Sequence, residues 1–213
     1  MTKYFEKLDD EKKKRILQAA LQEFAENGYE KASTNRIVKN AGIGKGMLFY
    51  YFKNKNVLYH YLIDYSLKIA INNYIQHVDE TNTDFIERMR QATYIKMKAF
   101  AENPWVFNFL GSFLLLDEKD MPEKILPEFK RLQKLGYSKV YGNIDYSLFR
   151  EGIDVTKAFN LIRWSIEGYQ EEIKAKLKGR NFAKEDIEPL WEEFFEYLEI
   201  LKKCYYKDEE GKG

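Results

Sequence analysis

Apolar residues recur at spacings of three and four over nearly the whole chain, and strict alternation is absent, so the pattern predicts helices and no sheet. Ile16, Leu17, Ala20, Leu21 and Phe24 fall on one face of a helix predicted from about Asp9 to Asn27. Asp9, Asp10 and Glu11 sit at its positive end, Gly28 is placed to end it in a left-handed turn, and Tyr29 can fold back on its apolar face. A short helix then starts at Ser33 or Thr34, whose hydroxyl can accept a bond from a free backbone amide, and stops at Gly42. Ile37, Val38 and Ala41 face inward, Ile43 fills the turn, and Leu48 with Phe52 faces back from a third helix that leaves Lys45, Gly46, Met47, Phe49 and Tyr50 outside. From Lys55 a run through Leu58, Tyr61, Leu62, Tyr65 and Ile69 continues to about His77, a rod of roughly 30 to 35 Å. Five more helices are predicted at Asp84 to Glu102, Pro104 to Leu116, Pro122 to Tyr141, Asp154 to Leu177 and Glu185 to Tyr206, with Pro104 and Pro122 in first turns, where a helix tolerates proline. The expected class is all-α with about nine helices: a three-helix head at residues 1–54 and a helical body at 55–213.

Charge sharpens this division. The 213 residues carry 35 basic and 34 acidic side chains, yet residues 1–60 hold 12 basic against 7 acidic and the remainder 23 against 27. Between Lys31 and His60 there are six lysines or arginines and no acid. That stretch contains TNRIVKNAGIGKGMLFYYF at 34–52, a helix, a glycine turn and a second helix, which is the helix-turn-helix pattern. Positive charge on such a motif points to DNA phosphate. No run reaches the roughly 20 apolar residues of a spanning helix, and the first 15 residues are too charged for a secretory signal, so a cytoplasmic protein with no membrane partner is expected. Cys204 stands alone, which leaves no internal disulfide and no cysteine metal cluster.

The head resembles the TetR/AcrR family of bacterial transcription regulators. The resemblance lies in ILQAALQEF at 16–24, Gly28-Tyr29, Ser33-Thr34 with Ile37, Ala41-Gly42-Ile43, and Lys45-Gly46 with Leu48, Tyr51-Phe52 and Lys55, in order and at the family's spacing. It implies that Thr34 and Asn35 approach the DNA backbone, that Lys45, Gly46, Met47, Phe49, Tyr50 and Tyr51 present to the groove or its phosphates, and that Lys55 completes the contact. It further implies that the body is a ligand-binding and dimerisation domain. Phe49, Gly44 and Val38 depart from the residues the family commonly carries, so an operator sequence does not follow by analogy.

The body is rich in bulky rings. Tyr94, Trp105, Phe109, Phe113 and Trp164 are expected to line a pocket for a small, hydrophobic effector. The last two helices are apolar around much of their circumference, which suits a four-helix interface between two copies involving Gly168, Tyr169, Leu190, Phe194, Tyr197 and Leu201. No catalytic constellation is found, and His60 and His77 have no metal-ligand spacing. Gly42 to Gly46 is followed by methionine, not the serine or threonine a nucleotide loop requires. The expectation is therefore a non-enzymatic, cofactor-free, homodimeric repressor that binds a palindromic duplex and is released by its effector. The alternative is a DNA-bound adaptor whose C-terminal domain binds another protein.

Overall fold

The computed structural model describes residues 3–116, 119, 121 and 125–208. Among the described residues ten α-helices run in the order α1 Lys3–Glu6, α2 Asp10–Lys31, α3 Thr34–Ala41, α4 Lys45–Phe52, α5 Lys55–Asn73, α6 Phe85–Glu102, α7 Pro104–Leu114, α8 Leu126–Tyr141, α9 Val155–Leu177 and α10 Glu188–Tyr205. Short 3-10 turns include Ile75–His77, Tyr146–Leu148 and Phe182–Lys184, and an isolated bridge joins Phe149 to Tyr206. The all-helical expectation holds.

Helix starts follow side-chain chemistry. Asp9 accepts from the Lys12 amide at 2.8 Å, Asn54 from Val57 at 2.9 Å, and Asp84 and Asp154 each from the third residue onward at 3.1 Å, so the acids expected to begin three helices are their caps. Pro104 takes its expected place in a first turn. Pro122 lies outside the described residues, and the eighth helix begins at Leu126. The rod stops at Asn73, four residues short of His77, because the chain tightens into the 3-10 turn. Its inward stripe is also rotated from the expected one. Tyr59, Ile63, Ser66, Leu67 and Ala70 are buried beside Leu58 and Leu62, while Tyr61, Tyr65 and Ile69 are half-buried.

Two features of the head differ from the expectation. Gly28 adopts φ 65°, ψ 177° and kinks α2, which regains a turn through Lys31 before ending. Tyr29 still folds back, its ring 6.3 Å from Phe24 and 4.8 Å from Tyr59. The charged segment before Asp9 also contains α1, whose Phe5 is fully buried against Phe52 at 4.7 Å, Tyr61 at 5.5 Å and Tyr51 at 5.8 Å. Glu6 accepts the Tyr61 hydroxyl at 2.7 Å.

Hydrophobic burial does not break at residue 54. One core runs from Phe5 through the head and α5 to α7 and Phe129, and a second joins α6, α9 and α10 from Val78 to Tyr206. Arg88 is 1% exposed in the body, and its guanidinium donates to the carbonyls of Asn82, Lys139, Val140, Gly142 and Asn143, closing the carboxyl end of α8. Truncating Phe5 to alanine should cost about 3 to 5 kcal/mol in urea unfolding, since a buried ring is lost from a site walled by three aromatics. A cost below about 1 kcal/mol would mean that α1 is not part of the fold.

Candidate nucleic-acid interface

The geometry of α3 and α4 follows from their terminal residues. The Ser33 hydroxyl accepts from the Arg36 amide at 3.4 Å. At the other end Gly42 takes the left-handed conformation, φ 66° and ψ 39°, and closes a Schellman turn with Gly42 N–H to Lys39 O at 3.3 Å and Ile43 N–H to Val38 O at 3.0 Å. Gly44 then caps α4 with no side chain, and nothing lies within 4 Å of where a Cβ on Gly44 or Gly46 would stand. The first amides of α4 are thus open to a close-approaching anion.

Glu23 locks this unit to α2. It is 4% exposed and accepts Arg36 Nε at 3.0 and 2.9 Å on its two oxygens, Arg36 Nη2 at 2.5 Å and the Ser33 amide at 2.8 Å. Arg36 Nη2 also donates to the Lys31 carbonyl at 2.9 Å. The carboxylate beside it raises the Arg36 pKa further, first through the side-chain hydrogen bond. One of the six cations in the acid-free stretch is therefore neutralised from outside that stretch. A second, Lys55, is half-buried: its ammonium donates to the Glu30 carbonyl at 3.1 Å and stands 4.8 Å from the Tyr29 ring centroid. It closes the carboxyl end of α2, a contact across 25 residues that no local pattern signals. Lys31, Lys39, Lys45 and Lys53 are exposed, and no carboxylate among the described residues pairs with them.

Most of the sequence-derived contact residues come together. Asn35, Lys45, Gly46, Met47 and Tyr50 are exposed on α3 and α4, Tyr50 at 60%, and Thr34 and Phe49 are half-buried at their edge. Tyr51 is corrected: at 5% exposure it belongs to the core beside Phe5, because its place on α4 turns it toward Leu48 and Phe52. Tyr4, absent from the sequence expectation, packs on Tyr50 with ring centroids 5.0 Å apart. Desolvation, followed by Tyr4 itself, pushes the Tyr50 phenol up.

The expected effector residues do not converge. Phe109 and Phe113 are core, packed on Tyr59, with Phe109 also 6.4 Å from Phe24. Tyr94 is 54% exposed and stacks on Phe195, and Trp164 is 57% exposed on α9. Trp105 lines a cleft of about 310 Å³ between α2, α5 and the α6–α7 corner, with Lys13, Lys14, Leu17, Leu21, Tyr65 and Val106 among its walls. An aromatic stripe on a helix gives no sign of which partner it meets, and here Phe109 and Phe113 meet Tyr59 on α5 while Tyr94 meets Phe195 on α10.

The expected dimer residues divide in the same way. Tyr169, Phe194 and Leu201 are buried within the chain, with the Tyr169 hydroxyl 3.0 Å from the Leu190 carbonyl and 2.9 Å from the Glu193 carboxylate, and Leu190 is half-buried. Gly168 and Tyr197 are exposed, and with Leu161, Trp164 and Ile200 they form an apolar outward face on α9 and α10. No His, Cys, Asp or Glu group among the described residues could hold a metal, and none of their helices is long and apolar enough to cross a membrane.

A helix-turn-helix head fused through a shared core to a helical body defines the class of protein. Residues 16–62 match the family model of bacterial regulatory proteins, tetR family. Over 75 residues the chain is 39% identical to HTH-type transcriptional regulators of Staphylococcus aureus strains USA300 and N315, a match covering 35% of this chain and 40% of those proteins. Among solved structures, a TetR family regulator from Chloroflexus aurantiacus aligns at TM-score 0.57 and 22% identity over 97% of this chain and 99% of that one. CprB from Streptomyces coelicolor, solved with its operator sequence, aligns at TM-score 0.59 and 19% identity over 92% and 88%. FadR from Bacillus subtilis, solved with stearoyl-CoA, aligns at 0.52 and 23% over 88% and 96%. The likeness to the tetR family model is carried by residues 16–62, and the match spans 40% of the length of the curated relatives.

Replacing Glu23 with glutamine weakens the clamp on Arg36 and the Ser33 amide, and the melting temperature should fall by roughly 5 °C. An unchanged melting temperature would remove Glu23 from the supports of α3.

Proposed function

We propose that the chain is a homodimeric, DNA-binding transcription regulator, a repressor that leaves its operator when a small effector occupies the body. The observation that carries this reading is the outward side of α3 and α4, where Asn35, Lys39, Lys45 and Tyr50 are exposed beside an uncapped helix start free of carboxylates. Such a surface supplies point charges and amides to phosphate and a narrow helix to the major groove. Residues 1–54 form the reading head and 55–213 the regulatory body. CprB, a structural neighbour, was solved on its operator. Phosphate contacts are proposed for Thr34, Asn35, Lys45 and Gly46, and groove contacts for Met47, Phe49 and Tyr50. Lys55 supports from within.

Two-fold pairing is proposed through the outward face of α9 and α10. Leu161, Trp164, Tyr197 and Ile200 expose 45%, 57%, 43% and 55% of their surface, and open space over Gly168 leaves room for a partner helix. Pairing there would carry two heads on one body and fit a palindromic duplex. The effector acts by linkage, favouring one arrangement of the body and so one spacing of the heads. FadR, another neighbour, was solved with stearoyl-CoA, which supports an effector with a long apolar part.

Selection of duplexes from a random pool by the full chain should yield a palindrome, and a pool without enrichment or with an asymmetric site would contradict the reading. On the selected duplex, Lys45→Ala should reduce the log–log salt slope by about one, whereas Lys55→Ala should leave the slope and lower stability. Trp164→Glu should convert a sedimenting dimer to a folded monomer. A dimer that survives this change pairs through another surface.

A further inference from the structure

α1 has a fixed place on the head. Phe5 is fully buried among Phe52, Tyr61 and Tyr51, the Leu8 amide donates to the Phe5 carbonyl at 3.1 Å, and the Tyr61 hydroxyl donates to Glu6 at 2.7 Å. With Phe5 and Glu6 anchored in this way, Tyr4 is carried to the outward side of α4, where its ring lies 5.0 Å from that of Tyr50 at an interplanar angle of 38°. The two side chains stay 58% and 60% exposed, so the fold gains little burial from either. Tyr51 backs Tyr50 at 5.7 Å and is itself packed on Phe5 at 5.8 Å. Tyr4 and Tyr50 therefore form one supported aromatic ledge, on the same short helix-turn-helix surface that exposes Lys45, Gly46 and Met47. The neighbouring charges of α1 suit an anion: Glu6 is engaged by Tyr61, and Lys7 is exposed with no carboxylate partner among the described residues.

We propose that α1 is a third DNA-contacting element, and that Tyr4 donates its hydroxyl to a backbone phosphate at the edge of the groove that Tyr50 enters. This rests on the reading that the outward side of α3 and α4 lies against DNA. A duplex that reaches Tyr50 meets Tyr4 as well, because the two rings are in contact and Phe5 holds α1 in place. Tyrosine suits the position: its hydroxyl bonds a phosphate oxygen and its ring covers the adjoining sugar, with no charge added. Such a contact fixes the register of the head on the duplex and carries no base preference of its own.

The test is titration of the selected duplex with the full chain and its Tyr4→Phe and Tyr4→Ala variants, followed by fluorescence anisotropy at several salt concentrations. Tyr4→Phe keeps the ring on Tyr50 and should weaken binding about threefold or more, the loss of one neutral hydrogen bond. Tyr4→Ala should weaken it further. Neither should change the log–log salt slope, since no cation is removed. Nitration of the unaltered chain by tetranitromethane, located by peptide mass, should be suppressed at Tyr4 by the bound duplex and unchanged at Tyr146, an exposed tyrosine of the body. Equal reactivity of Tyr4 in the free and bound chain, unaltered affinity in Tyr4→Phe, or a lowered slope in Tyr4→Ala overturns the proposal. If Lys45→Ala loses a unit of slope while the Tyr4 results fail, the regulator reading stands and only the role of α1 falls. A chain that selects no duplex removes both.

Discussion

The aromatic contact between α7 and the head is what the rest of the molecule depends on. Phe109 meets Phe24 at 6.4 Å and Tyr59 at 5.6 Å, Phe113 meets Tyr59 at 6.3 Å, and Tyr29 closes the group against Tyr59. Rings from α2, α5 and α7 thus fill one volume, and Tyr59 is dehydrated enough that its phenol is pushed up to about 12. Close-packed interiors move between discrete arrangements rather than deforming smoothly. A shift of α7 therefore cannot leave α2 and α5 where they were. The turn at Phe182–Lys184 adds a second grip: Asn181 donates to the Glu26 carbonyl at 2.9 Å, and Phe182 lies so close to Gly111 that a Cβ there would stand 2.3 Å from the ring.

This packing gives the proposed linkage a physical route. Phe100 and Phe107, 6.1 Å apart, join the pair of helices that meet at Asn103. An effector that displaced α6 would bear on α7, and α7 bears on the head. At the far end Glu23 holds α3 through Arg36 and Ser33, so α2 transmits its position to the exposed surface of α3 and α4. The shape of that exposed surface is thus set by contacts two helices away.

Legibility in the sequence followed the range of the interactions. Caps and stops were readable because Asp84, Asp154 and Gly42 act on amides and carbonyls within a few residues. The exposed side of α4 was readable because Leu48 and Phe52 fix its inward stripe. Interactions across long separations were not. Lys55 reaches back to Glu30, Arg36 to Glu23, and Phe5 plugs a core formed around residues 51 to 61, so two cations and one tyrosine of the expected surface have internal roles. The body shows the same limit: periodicity marks Phe109, Trp164 and Tyr197 alike as apolar positions, while only the tertiary arrangement separates core from outward face.

The central claim is that the open start of α4 lies against DNA. Amide hydrogen exchange of the full chain, with and without a saturating duplex at low salt, reads this residue by residue. Slowed exchange at Lys45, Gly46 and the first turn of α3, with the amides of α9 unchanged, is the expected result. Protection confined to the body, or none at α4 when the duplex is bound, would contradict it.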